Sequence, residues 1–224
     1  MSKLTGVVLL EGPDGAGKTT LAEALCKKFD GHYVHRTWRK GMDVWDHHTE
    51  ALQIANQLAH EKLVVIDRLW PSEAIYGKVY RKESDYKHNS RAMDRVLLRM
   101  SALYVLCVPR DGEYTRLVHA RKHAEGVEMY DNIDRIIKHY DSWTFGDDNA
   151  DVAGDIIEQQ SYWGGFLHDR GYGAHHYDVQ ERGGELDKVV GDIADQLSWY
   201  KRQQWSFALD PNKPNVLGHR HHAR

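Results

Sequence analysis

The run VVLLEGPDGAGKTTLAEAL, residues 7–25, limits the fold more than any other part of the chain. An apolar stretch breaks into glycines around a lysine and two threonines, and then Leu21, Leu25 and Phe29 recur at the spacing of one helix face. Strand, tight loop and helix follow in that order. Gly12, Gly17, Lys18 and Thr19 satisfy the pattern G-x-x-x-x-G-K-[ST] in full. Glycines let successive backbone amides face phosphate oxygens, and the helix that follows adds its own unpaired amino-terminal amides. Lys18 would reach the outer phosphates, and the Thr19 hydroxyl would help to hold magnesium, with Thr20 in support. The donor-phosphate site is therefore read on Gly12, Asp14, Gly15, Ala16, Gly17, Lys18, Thr19 and Thr20. The plain alternative, a glycine turn before a surface lysine, explains neither the complete motif nor its strand–loop–helix setting.

Binding a triphosphate does not by itself imply a reaction, so a second phosphate site is the next requirement. The run LVVIDRLW puts Asp67 at the carboxyl end of a short apolar strand, where open α/β sheets gather their ligands, and Arg68 follows at once. An aspartate there can orient a magnesium-bound water or an acceptor. The forked guanidinium of an arginine matches phosphate oxygens. An Asp-Arg pair that merely satisfies a strand end is the structural alternative.

Taken together, EGPDGAGKTT at 11–20 and DRLWPSEAIYG at 67–77 resemble the thymidylate kinase family of P-loop nucleoside monophosphate kinases, with a broader similarity to deoxynucleoside kinases. The resemblance runs over about residues 4–145 and weakens after the first motif. It implies a three-layer α/β fold with a central, mostly parallel sheet and helices on both faces. It also implies transfer of the γ-phosphoryl group of ATP, with Mg2+, to a deoxynucleoside monophosphate such as dTMP. The catalytic set it suggests is Lys18, Asp67, Arg68, Arg116 and Arg121, with Thr19 and Asp67 on the metal.

For the acceptor, the resemblance points to Arg68, Ser72 and Tyr76. The upstream run HRTWRKG adds Arg36, Trp38 and Arg39. A lid over the triphosphate is expected at 110–128, carrying Arg116, Arg121 and the accessory Lys122. Five residues apart, the two arginines would lie about 140° apart on an unbroken helix, so the helix must end or bend for both to face one site.

The remaining apolar periodicities agree with an α/β chain. Leu4 to Leu10, Leu63 to Asp67 and Leu103 to Val108 read as buried strands, the last terminated by Pro109. Helical stripes are carried by Ala51, Ile54, Ala55 and Leu58, by Met93, Val96, Leu97 and Met100, by Ile133, Ile136, Ile137 and Tyr140, and by Leu186 through Tyr200. A single domain over 1–207 is expected, with a divergent segment at 160–185 and a flexible tail at 208–224. The glycine, aromatic and histidine cluster in that divergent segment would extend the acceptor pocket, form a homodimer contact or decorate the fold.

Composition bounds the alternatives. With 41% hydrophobic residues, seven tryptophans and twelve tyrosines, the 224-residue chain can bury a core. A formal charge of -3 offers no global attraction to nucleic acid or anionic membrane. Cys26 and Cys107 are expected as buried reduced thiols, and the chain as a cytoplasmic protein without a membrane span. The histidine pairs 47–48, 175–176 and 221–222 lack the spacing of a zinc signature and read as surface or structural.

Three other uses of the fold stay open at this level. A deoxynucleoside kinase would need Asp67 or Glu11 as a base toward a 5′-hydroxyl. A phage-like enzyme would take a modified deoxynucleotide, and a DNA-end kinase would need a local groove for a strand. A regulatory GTPase is poorly supported. Asn212-Lys213-Pro214-Asn215 lacks the acid of N-K-x-D, and Asp151-Val152-Ala153-Gly154 follows no apolar strand.

Overall fold

The computed structural model describes residues 3–35, 43–77, 79, 92–93, 95–97, 99–100, 102–107, 135–136, 140 and 184–208. Within that range β1 (Gly6–Glu11) leads through the glycine loop into α1 (Lys18–Phe29), and β2 (His32–His35) follows. Next come α2 (Val44–Leu58), β3 (Leu63–Asp67), α3 (Trp70–Tyr76), β4 (Leu103–Leu106) and α4 (Gly184–Ala208). The four strands form one parallel sheet in the order β2-β3-β1-β4.

Alternation along each strand explains how the sheet is covered. Val8, Leu10, Leu63, Val65, Leu103 and Val105 face α1 and α4, where Leu21, Leu25, Val190, Ile193 and Leu197 complete the core. Val7, Leu9, Val64, Ile66 and Tyr104 face the other way, onto Ala51, Leu52 and Ala55 of α2 together with Met93 and Leu97. Strands covered on both faces read as continuous apolar runs, which is why β1 and β3 are so plain in the sequence. The expected three-layer α/β arrangement is thus observed.

Several boundaries differ from the sequence reading. β1 begins at Gly6, where pairing starts with a bond from the Gly6 amide to the Lys62 carbonyl; Leu4 is buried but upstream of the ladder. β4 ends at Leu106, and the Cys107 amide makes a last bond to the Glu11 carbonyl. α2 begins well before its apolar stripe, because the Asp43 carboxylate caps it through the amides of Trp45 and Asp46 at 2.7 and 3.1 Å. Tyr76 is the last residue of α3. Cys107 is buried as expected, whereas Cys26 is only half-buried at the edge of α1. His47 and His48 are buried on α2.

The topology sets the site. β1 lies between β3 and β4: the chain leaves β1 toward β2 on one side and leaves β3 toward β4 on the other, so a crevice opens at the carboxyl ends of these two neighbouring strands. Register places Leu10 beside Asp67, His35 beside Asp67 and Glu11 beside Leu106. The ends of the strands therefore lie at one level, under the glycine loop. No helix among the described residues is long and apolar enough to cross a membrane.

Candidate active site

The loop after β1 depends on glycine at two points. Gly12 has φ +143°, and a Cβ there would run into the backbone carbonyl of Cys107 on the neighbouring strand end. Gly17 precedes α1 with φ 80° and offers no side-chain cap, so the first amides of α1 remain available at a helix end without an acidic residue in its first turn. α2, by contrast, is capped by Asp43. An uncapped amino terminus behind a glycine loop is the arrangement that receives phosphate.

Lys18 is folded into this loop. Its Nζ donates to the Gly12 and Pro13 carbonyls at 3.0 and 2.7 Å. Burial, helped by the nearby positive charge of Arg68, lowers its pKa to about 8, against the opposing influence of Asp67 and Asp14. An arriving polyphosphate would exchange two carbonyl partners for anionic oxygens and favour the charged amine. Thr19 and Thr20 are exposed in the first turn of α1, and Ala16 is buried beneath the loop.

Arg68 stands on the other side of the crevice in an uncommon conformation. Its φ is 72°, left-handed for a residue with a Cβ, at a cost of about 1–2 kcal/mol. Its amide bonds the Leu10 carbonyl at 3.0 Å, which continues the β1–β3 ladder by one residue and turns the side chain toward the glycine loop. There Nη2 donates to Asp14 Oδ1 at 2.6 Å and to the Tyr76 hydroxyl at 3.1 Å, while Nη1 donates to Ser72 Oγ at 3.2 Å. The guanidinium carbon lies 4.6 Å from the Tyr76 ring centroid, a cation–π geometry. Burial works to lower the Arg68 pKa, but Tyr76, Asp14, Tyr140 and Glu11 outweigh it and hold the group well above its usual value. The Asp14 amide donates to the Tyr76 hydroxyl at 3.1 Å, so Asp14 ties the glycine loop both to Arg68 and to the end of α3.

Asp67 ends β3 with its carboxylate almost enclosed. Oδ2 accepts from the Tyr33 hydroxyl at 2.8 Å and lies 3.2 Å from His35 Nδ1, both from β2. Oδ1 is buried and has no hydrogen-bond partner among the described residues. Burial pushes the Tyr33 phenol well above its usual value, Asp67 adds to the rise and Thr19 opposes it. An unpaired buried carboxylate oxygen close to the start of α1 is chemically suited to a hard cation or a water bound to one.

Glu11, the last residue of β1, carries a second enclosed carboxylate. Oε1 accepts from the Leu69 amide at 2.8 Å; Oε2 accepts from Ser72 Oγ at 2.6 Å and from the Tyr140 hydroxyl at 3.4 Å. Ser72 Oγ is also 3.0 Å from the Tyr140 hydroxyl. Burial raises the Glu11 pKa to about 7, against the lowering effects of Ser72, the Leu69 amide, Arg68 and Lys18.

The geometry brings together Lys18, Asp67, Arg68, Ser72, Tyr76 and Asp14 from the expected set. Arg36, Trp38 and Arg39, and the lid residues Arg116, Arg121 and Lys122, lie outside the described residues, as do the segments 110–128 and 160–183. Tyr33, His35 and Tyr140 are additions. The first two were legible only through the register that sets β2 beside Asp67, and Tyr140 appeared in the sequence only as part of an apolar stripe.

No protein-family model matches the chain. No curated protein matches it either. Among solved structures it is similar to the YorR protein from Bacillus subtilis, crystallised in complex with phosphorylated GDP. That match has 20% identity and a TM-score of 0.50, over 88% of this chain and 98% of that one. This is an α/β P-loop fold. The P-loop of the present chain is the stretch from Gly12 to Thr19. A shikimate kinase from Acinetobacter baumannii in complex with shikimate matches at 17% identity and a TM-score of 0.43, over 88% of this chain and 95% of that one. A deoxyadenosine kinase from M. mycoides with bound dATP matches at 12% identity and 0.44, over 85% and 99%.

Proposed function

We propose that the protein is a nucleoside monophosphate kinase that transfers the γ-phosphoryl group of ATP to a deoxynucleoside monophosphate, dTMP or a related or modified deoxynucleotide. One observation carries this reading. The guanidinium of Arg68, 2.6 Å from Asp14 of the P-loop, sets a second anion-binding cation directly across from the donor-phosphate loop.

In the reaction, Lys18 and the amides of the P-loop and α1 hold the donor phosphates. Arg68 takes the acceptor phosphate, exchanging its present partners for phosphate oxygens, with Ser72 beside it and the Tyr76 ring available to the nucleoside. Thr19 and Asp67 would hold Mg2+, which when bound screens the phosphate charge and orients the transferring group. The acceptor phosphate is already acidic, so the residues need to align and neutralise rather than supply a strong base. Arg116 and Arg121 complete the proposal as lid cations, with Arg36, Trp38 and Arg39 as further acceptor contacts.

The test is an acceptor panel with γ-labelled ATP: the four ordinary dNMPs, modified dTMP analogues, thymidine and a DNA oligonucleotide. The expected product is a labelled deoxynucleoside diphosphate. Labelling of thymidine without labelling of any monophosphate would overturn the reading in favour of a nucleoside kinase.

A further inference from the structure

The second enclosed carboxylate is not used by the chemistry above, and it lies between the two phosphate sites. Glu11 directly precedes the P-loop, and its backbone carbonyl is tied to β4 through the Cys107 amide at 2.7 Å. Its side chain crosses to the opposite wall of the crevice. One oxygen takes the amide of Leu69, the peptide that immediately follows the left-handed Arg68. The other takes the hydroxyl proton of Ser72, which commits Ser72 Oγ to act as acceptor for Arg68 Nη1. A single carboxylate thus fixes both the backbone turn that carries Arg68 and the direction in which its guanidinium is held.

We propose that Glu11 is a positioning residue for the acceptor phosphate: through the Leu69 amide and the Ser72 hydroxyl it holds Arg68 at a fixed distance from the P-loop. This rests on Arg68 being the acceptor-phosphate cation. The two donors require the ionised carboxylate here rather than any polar residue. The Leu69 amide and the Ser72 hydroxyl are both donors, so two acceptor oxygens are needed. A glutamine would present one oxygen and one amide nitrogen. That nitrogen would donate into Ser72 Oγ, compete with Arg68 and reverse the polarity of the link.

The experiment compares full-length wild type, Glu11→Gln, Ser72→Ala, Arg68→Ala and the double variant Glu11→Gln/Arg68→Ala. Steady-state kinetics with ATP and the best monophosphate of the acceptor panel give kcat and both KM values, and thermal unfolding and ATP binding report integrity. Glu11→Gln is expected to raise the acceptor KM by about tenfold, as for a misdirected charge-assisted contact, while the ATP KM changes by less than about twofold. In the Arg68→Ala background the same substitution is expected to add less than about twofold, because the group it positions is gone. Ser72→Ala cuts the link but leaves the Leu69 bond, and is expected to show the same acceptor-selective defect to a smaller degree. If Glu11→Gln fails to fold, Ser72→Ala is compared in the wild-type and Arg68→Ala backgrounds: a defect that vanishes with Arg68 supports the link, and one that persists marks a direct contact of Ser72 with the acceptor and overturns it.

Equal effects of Glu11→Gln in both backgrounds, a shift in the ATP KM instead of the acceptor KM, or an unchanged acceptor KM in Ser72→Ala would overturn the proposal. Failure of Arg68→Ala itself to affect acceptor use would instead remove the proposed acceptor subsite. The two failures are therefore distinguishable.

Discussion

At the scale of single residues, the site is built from groups whose ordinary ionisation is displaced by burial. Glu11 is pushed up to about 7 from 4.5, so between those values the folded chain keeps a proton that the unfolded chain has released. Stability must then fall as pH rises through that window, by roughly 3 kcal/mol in all. Glutamine does not titrate. Urea unfolding of wild type and Glu11→Gln at pH values from 4.5 to 7.5 is therefore expected to show the wild-type advantage shrinking as pH rises. A difference that stays constant across the series would mean that the carboxyl is not displaced upward. Lys18 carries the opposite kind of displacement, downward to about 8, in a loop whose Gly12 and Pro13 carbonyls hold it.

At the scale of elements, the legible parts and the illegible parts divide for physical reasons. β1 and β3 are buried on both faces; β1 runs into the complete phosphate motif and β3 ends at the Asp67-Arg68 pair, so their residues announce both strand and ligand. α3 has seven residues, too few for an apolar period, and only its membership of an Asp-Arg segment drew attention to Ser72 and Tyr76. Glu11 was harder still: its partners Leu69, Ser72 and Tyr140 are 58, 61 and 129 residues away, and no local pattern marks an acid that bonds so remotely. α4 illustrates the reverse case. Its Val189, Val190, Ile193 and Leu197 stripe was plain in the sequence, and it packs on the sheet against β1 and α1. Leu197 is fully buried there, so Leu197→Ala is expected to cost about 2–5 kcal/mol in urea unfolding. A loss below about 1 kcal/mol would show that α4 is not part of the cooperative core.

At the scale of the whole molecule, the strand order does what no motif does alone. With β1 between β3 and β4, the glycine loop and the Asp67-Arg68 turn rise from adjacent strand ends, and two cation-bearing walls face one crevice. The resemblance carried by EGPDGAGKTT and DRLWPSEAIYG named both walls in the sequence. It could not show that Asp14 and Arg68 are joined at 2.6 Å, since 54 residues separate them. The central claim is that Arg68 is the acceptor-phosphate cation. Its most direct test is the acceptor dependence of Arg68→Ala at saturating ATP. The expected result is a loss of about 100-fold in kcat/KM for the monophosphate, corresponding to about 3 kcal/mol of a charge-assisted contact, with the ATP KM essentially unchanged. Wild-type acceptor kinetics in Arg68→Ala would contradict the account.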